Sequence, residues 1–296
     1  MNARVVTKKI KSVTNVKKIT KAMQLVSAVK MRKAQQTALE GKPYQEFLRQ
    51  AIERLASGIS TKDSVLLNES TPIKSGSATS KRNLVIVFTA QKGLCGSFNM
   101  NVMRFLIKQI TLGDTDFITI GKKGAEILSQ LRAKVLADFS GLEDSDSISA
   151  VFDLALSEYT KDSYKSVSVA YNKFVNTLRS DPTYEKILPF STENLDKKSD
   201  PSAELRAGEG GYMIEPDSSE IVDALLKSYI ESSLRFALLQ SYAGEHSARM
   251  IAMKNATDNA TDVILNLTSL KNKLRQQSIT NELLDMITAT VSVEVN

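Results

Sequence analysis

The sequence predicts an α/β fold combined with long helices. In this reading the N- and C-terminal helices form an antiparallel coiled coil, and an α/β domain of mostly parallel sheet is inserted between them. Three observations predict it. The chain opens on a basic stretch with apolar residues at helical spacing, its middle alternates strand-like and helix-like segments, and Ser218 to Val295 contains no proline.

The N-terminal helix is assigned to residues 1–60. Ile10, Val13, Val16, Ile19, Met23 and Val26 follow one another in steps of 3, 3, 3, 4 and 3, the spacing of one helix face. Gly41 and Pro43 predict a kink or a brief interruption. Residues 61–82 turn polar, with Pro72 and Gly76, and read as a linker. The α/β domain is placed at 83–190, with strands at Leu84–Thr89, Phe117–Ile120, Lys134–Ala137 and Ser166–Tyr171. Helices fall between them at Asn101–Ile110, Lys122–Leu131 and Ser147–Tyr159, the alternation that builds parallel sheets. Residues 191–216, with Pro201, Gly208, Gly210 and Gly211, read as a flexible connection.

The C-terminal helix, residues 217–296, opens after Pro216 with Asp217 or Ser218 as a cap, and Gly244 is its only glycine. Uninterrupted from Ser218 to Val295 it would be about 115 Å long, too long for a domain of this size to contain, so it is expected to project. Ala256, Ala260, Val263, Leu267, Leu270 and Leu274 step by 4, 3, 4, 3 and 4, the rhythm of a coiled-coil seam. The rhythm breaks after Leu274 and resumes through Ile279, Leu283, Met286 and Thr290. The small Ala256 and Ala260 admit a close partner. The N-terminal helix carries the matching narrow stripe, so the two termini are expected to pair, with an intermolecular coiled coil as the alternative.

Composition narrows the function. Of 296 residues 42% are hydrophobic and 6% aromatic, with no Trp, which favours packed helices over an aromatic-lined groove. The net charge of +6 is unevenly spread. Between Met1 and Lys42 eleven cations face only Glu40, a local +10, which leaves −4 for the remainder. Such a concentration at one end is a local device and not a solubility setting. Cys95 and His246 are single, which disfavours disulfides, Cys- or His-based metal sites and a His-dependent triad. No apolar run reaches the roughly 18 residues a bilayer span requires. The N-terminus shares the basic, acid-poor character of a transit peptide, but its pattern continues into the following helix and reads as mature structure. Gly93 and Gly96 follow a buried strand, yet no Lys-Ser or Lys-Thr comes after them. They read as a structural strand-to-helix turn and not as a phosphate loop.

Several segments then go beyond architecture. Ile10-Lys-Ser-Val-Thr-Asn-Val-Lys-Lys-Ile-Thr-Lys-Ala-Met-Gln-Leu-Val-Ser stands near the start. Glu245-His-Ser-Ala-Arg-Met-Ile-Ala-Met-Lys-Asn-Ala-Thr-Asp-Asn-Ala and Arg275-Gln-Gln-Ser-Ile-Thr-Asn-Glu-Leu stand near the end. Together with Gly93-Leu-Cys-Gly-Ser-Phe-Asn and Glu215-Pro-Asp, they resemble the signatures of F-type ATP synthase gamma subunits over essentially the whole chain. Ser97 and Phe98 stand where the family's central motif usually has a second glycine and Tyr, and Thr288 to Val295 replaces its small Gly-Ala tip.

The resemblance implies a rotor shaft, itself not an enzyme, that couples ion-driven rotation to ATP synthesis. Its implied partners are the alpha and beta subunits of a catalytic ring, an epsilon-type stalk subunit and the membrane c-ring. The chain itself would bind no cofactor, MgATP and ADP being held by partner subunits, and would meet the membrane only through the complex. Lys8, Lys9, Lys11 and Met23 would face the beta subunits. Arg275, Gln276, Thr280 and Glu282 would form an orientation-dependent catch on the surrounding ring, and Ile214 and Glu215 would meet the c-ring. The expected location is the cytoplasmic face of a bacterial plasma membrane, with the matrix side of the mitochondrial inner membrane as the alternative. From the residues alone, the rival is a basic coiled coil that binds nucleic acid or another acidic partner. It would interleave aromatics or Arg with the Lys, whereas Tyr44 is the first aromatic residue here.

Overall fold

A computed structural model of the chain describes residues 3–56, 66, 82–141, 148–161, 163–190 and 218–294. The expected linker at 61–82 and connection at 191–216 lie almost wholly outside these residues, as do Ile214 and Glu215. The chain divides into two compact units, Met1–Ala28 with Arg249–Asn296, and Val29–Ala248. Two helices run through both: α1 (Ala3–Ala56) and α5 (Ser218–Glu294). α1 continues across Gly41 and Pro43 without interruption. Proline removes one hydrogen-bond donor, and a helix this long keeps the rest.

The larger unit holds a five-stranded sheet in the order β3-β2-β1-β4-β5. Its strands are β1 (Arg82–Phe88), β2 (Thr115–Ile120), β3 (Lys134–Asp138), β4 (Tyr164–Asn176) and β5 (Arg179–Leu188). β1 pairs in parallel with β2 and β4, and β2 with β3, while β4 and β5 are antiparallel. β5 is absent from the sequence expectation. Half-exposed and carrying Pro182 and charged residues, it lacks the apolar run of β1, whose Leu84–Phe88 are all buried. Its hairpin closes because the Asn176 side-chain oxygen accepts from the Leu178 and Arg179 N–H groups at 2.9 and 2.8 Å.

Helices cover both sheet faces, as a parallel sheet requires. On one face α2 (Phe98–Gln109) and α3 (Lys122–Gln130) bury Val102, Met103, Leu106 and Leu128 against Val85, Val87 and Phe117. On the other, α4 (Ile148–Thr160) packs with Ile52 of α1 and Val222, Leu226, Ile230 and Leu234 of α5 against Leu84, Ile86 and Phe88. Within this unit α1 and α5 run antiparallel. Gln45 donates to Ser233 at 3.0 Å, and Arg49 lies near Tyr229, four residues earlier on α5.

Two polar knots fix the sheet. At its amino edge the Asp116 carboxylate, 1% exposed, meets Arg82 of β1 (2.6 Å), Lys134 of β3 (2.9 Å) and the Tyr164 hydroxyl of β4 (3.0 Å). One carboxylate thus ties four strands. Arg82 holds its oxygen Oδ1 as an ion pair without hydrogen-bond geometry. Burial, and then the hydrogen bond to Asp116, push the Tyr164 phenol up to about 12. Asp116→Ala is expected to cost about 3 kcal/mol in urea unfolding, because the buried Tyr164 hydroxyl loses its acceptor. A cost below about 1 kcal/mol would show that the clasp is surplus. The phenol is favoured neutral in the fold, so its contribution is complete below its ordinary value near 10 and is lost as pH climbs towards about 12. The second knot is Thr89, just past β1. Its hydroxyl lies 3.0 Å from the Gly121 carbonyl and accepts the Gly124 N–H at 2.8 Å, which seats α3 on β1.

Candidate functional site

The smaller unit is made of α1 up to Ala28 and α5 from Arg249. Its α1 seam differs from the expected stripe. Val6, Thr20 and Ser27 are buried, and Ile10, Val13, Lys17 and Gln24 half-buried, giving strict alternating steps of 4 and 3. Val16, Ile19 and Val26 are instead 50%, 59% and 57% exposed. The expected stripe averages 3.2 residues per step, short of the 3.5 a seam needs, so it leaves the seam after Val13 and drifts to an outer face. At about 100° per residue, Val5, Val16, Ile19, Met23 and Val26 fall within an arc of about 80°, roughly a quarter turn from the seam.

On α5, Ala260, Leu267 and Leu274 lie in the seam as expected, but Val263 and Leu270 are 44% and 36% exposed. Ile264 and Lys271 are half-buried in their place. At the centre, Thr20 and Thr257 join their hydroxyls at 2.8 Å. Each hydroxyl also has a carbonyl within reach on its own helix, Lys17 at 3.1 Å for Thr20 and Met253 at 2.8 Å for Thr257, so either can donate across the pair. A satisfied polar pair therefore occupies a layer where an apolar one was expected. Counting fourteen residues outward from it brings buried Val6 level with half-buried Lys271, and Ala3 level with Leu274. Beyond Leu274 the seam ends. Ile279, Leu283, Leu284, Met286 and Ile287 are all about half exposed or more, contrary to the expected resumption. The side chain of Thr290 lies outside the described residues.

The expected site residues are distributed as follows. Lys8, Lys9 and Lys11 are exposed on α1, and Met23 is half-buried at the margin between seam and outer arc. Arg275, Gln276, Thr280 and Glu282 are exposed on the same α5 stretch as the apolar residues. Thr280 donates to the Gln276 carbonyl at 2.9 Å, and Glu282 accepts from Ser278 at 3.1 Å. The guanidinium of Arg275 and the amide of Gln276 are left on the surface. The outer apolar arc was missed as a surface, although the 3.2-residue step that reveals it stands in the sequence.

In the larger unit, Gly96 has φ +59, the left-handed conformation a tight turn favours, and Leu94 shares it at φ +64. Gly93 has open space where a side chain would stand. The turn is held by Asn99, whose side-chain oxygen accepts the Ala90 N–H at 2.8 Å. It sits at the carboxyl end of β1, beside the point where the strand order reverses between β1 and β4. In open α/β sheets that crevice is the usual ligand site. Here α5 fills it: Gly244 lies against Phe98, and Ala248 packs on the cluster of Ala90, Cys95 and Phe98. Among the described residues no His/Cys/Asp/Glu group is arranged to hold a metal ion, and no helix is long and apolar enough to cross a membrane.

The family model described as ATP synthase matches residues 2–293. The chain is similar to the ATP synthase gamma chain of Delftia acidovorans (strain DSM 14801 / SPH-1), with 37% identity in a match that covers 96% of this chain and 97% of that protein. It is likewise similar to the gamma chain of Nitrosomonas eutropha (strain DSM 101675 / C91 / Nm57), 35% identical over 300 residues and 99% of both chains. Among solved structures it resembles a chain of the Euglena gracilis mitochondrial ATP synthase rotor in rotational state 1. The TM-score is 0.63 at 18% identity, over 94% of this chain and 98% of that one. A chain of the Tetrahymena thermophila mitochondrial ATP synthase central stalk and c-ring gives a TM-score of 0.57 at 24% identity, over 80% and 99%. At those identities the structures speak for the fold.

Proposed function

We infer the role of this chain from one premise: it belongs to the ATP synthase gamma chain family. It is the central-stalk subunit, coupling rotation to ATP synthesis and, in reverse, ATP hydrolysis to rotation. The nucleic-acid reading of the basic helix is not supported by the relatives it matches. The finer assignments are our proposal. The chain is non-catalytic and holds no cofactor of its own, with MgATP and ADP bound by partner subunits. It sits inside a ring of alpha and beta subunits, with an epsilon-type subunit and an ion-driven c-ring beneath. Its membrane association runs entirely through the complex, on the cytoplasmic face of a bacterial plasma membrane or the matrix side of a mitochondrial inner membrane. Ile214 and Glu215 remain assigned to the c-ring contact.

The observation that carries this reading is the pair of long helices whose apolar residues are not spent on each other. Val16, Ile19 and Val26 of α1 and Ile279, Leu283 and Met286 of α5 stand at 49% exposure or more. Apolar side chains left exposed along one face of a helix in this way mark a protein interface. Around it, Lys8, Lys9 and Lys11 offer charge to acidic segments of the ring, and Arg275 offers a planar fork that holds a carboxylate in one direction. A shaft that docks in several discrete orientations couples distant sites mechanically, which is all the function asks of it.

Lys8→Glu, Lys9→Glu and Lys11→Glu combined test the charge arm. The three side chains are exposed, so thermal unfolding of the chain should not move. In the assembled complex, ions pumped per ATP hydrolysed should fall roughly three- to tenfold. Unchanged coupling at equal assembly would remove these lysines from the torque path.

A further inference from the structure

α5 does not merely cross the ligand crevice of the sheet; it is keyed into it. β1 pairs with β4 only as far as Ala170, so the rest of β4 has no strand on that side. There the Phe174 N–H donates to the side-chain oxygen of Gln240 at 3.2 Å, within a stretch whose register with β5 shifts at a bulge. One turn on, Gly244 packs closely: an added Cβ would stand 3.2 Å from the Phe98 ring, a tight contact, with Ser180 and the Asn172 carbonyl at ordinary contact distances of 3.5 and 3.6 Å. A further turn along, the Ser247 hydroxyl donates to the Thr177 carbonyl at the hairpin tip. Asn172, 1% exposed, completes the seat by donating to the Phe98 carbonyl at 3.1 Å.

Gln240, Gly244 and Ser247 are spaced by 4 and 3, so all three contacts lie on one face of α5. A glycine within a helix is unfavourable by comparison with alanine, so its presence here is explained by this close approach. Nonspecific apolar packing lets a helix turn in its seat. Two directed hydrogen bonds to backbone groups, on either side of a steric notch, do not.

We propose that the Gln240–Gly244–Ser247 strip is a rotational key that locks α5 to the α/β sheet, so that twist along α5 turns the sheet with it. The proposal rests on the rotary reading above. In it Gln240 and Ser247 are positioning residues for torque transfer, without contact to nucleotide.

The test uses the assembled complex, with the catalytic ring immobilised and a bead attached to the exposed Arg104 position of α2 through Arg104→Cys, in a chain with Cys95→Ala. Torsional stiffness between ring and bead, unloaded ATP hydrolysis and thermal stability are measured together. Gln240→Ala with Ser247→Ala is expected to lower the stiffness at least twofold while unloaded hydrolysis stays unchanged. Gln240→Glu with Ser247→Thr keeps the acceptor and the hydroxyl, and is expected to retain the stiffness. If the double alanine variant assembles poorly, Ser247→Ala alone serves, with a smaller softening expected. Wild-type stiffness in the alanine variants would overturn the key alone. A wild-type chain that drives no bead rotation would sink the rotary reading, and the key with it.

Discussion

Gly121→Ala is expected to prevent the larger unit from folding stably. Gly121 closes β2 at φ +101, a conformation that costs an L-residue about 1–3 kcal/mol. Its missing Cβ would fall 2.1 Å from the Thr89 carbonyl oxygen and 2.7 Å from the carbonyl carbon. Backbone cannot step aside as a flexible side chain does. Relief would require β1 to separate from the start of α3, breaking the Thr89 bonds to Ile120, Gly121 and Gly124. Strain and overpacking together predict a loss of about 4 kcal/mol or more, a large share of the stability of an ordinary domain. The readout is urea unfolding followed by circular dichroism. A loss under about 1 kcal/mol would mean that the turn yields more easily than its contacts imply.

The second large effect lies on the outer arc of α1. Val16→Glu, Ile19→Glu and Val26→Glu in one chain should leave the fold intact, since all three side chains are at least half exposed. Assembly should fail. Each apolar side chain that a partner covers contributes about 1.5 kcal/mol, so removing three predicts about a thousandfold weaker association with the catalytic ring. The buried carboxylates would add to the loss. Retention of this variant by the ring at wild-type affinity would show that the arc faces solvent in the complex. Loss of helix content in the free chain would instead place these residues in a seam.

What the sequence made legible follows from how each segment is buried. β1 is covered on both faces and reads as an apolar run, so its position was plain, and the lengths of α2, α3 and α4 followed from the alternation. β5 was not legible. It is held by one neighbour and an Asx-closed turn, and its residues are chosen for a half-wet edge. The coiled coil was legible as a pairing but not in its register. Thr20 and Thr257 occupy seam positions because their hydroxyls find partners locally, and hydrophobicity alone passes over them, as it does over the buried Ser27. The assignment of Arg275, Gln276, Thr280 and Glu282 came from resemblance. In the isolated chain they are surface residues, and no contact of this chain with itself distinguishes a catch that works only against another subunit. The clasp at Asp116 had no signature either, because its four members are spread over four strands and meet only once the sheet is built.

The shaft role is tested most directly by reconstitution with the alpha and beta subunits of the same organism. The chain is co-expressed with them, the complex is purified through a tag on beta, and MgATP hydrolysis is measured with and without this chain. One copy per six-subunit ring, and steady hydrolysis that depends on its presence, are the expected results. Failure to associate, or hydrolysis by the ring that is indifferent to the chain, would contradict it.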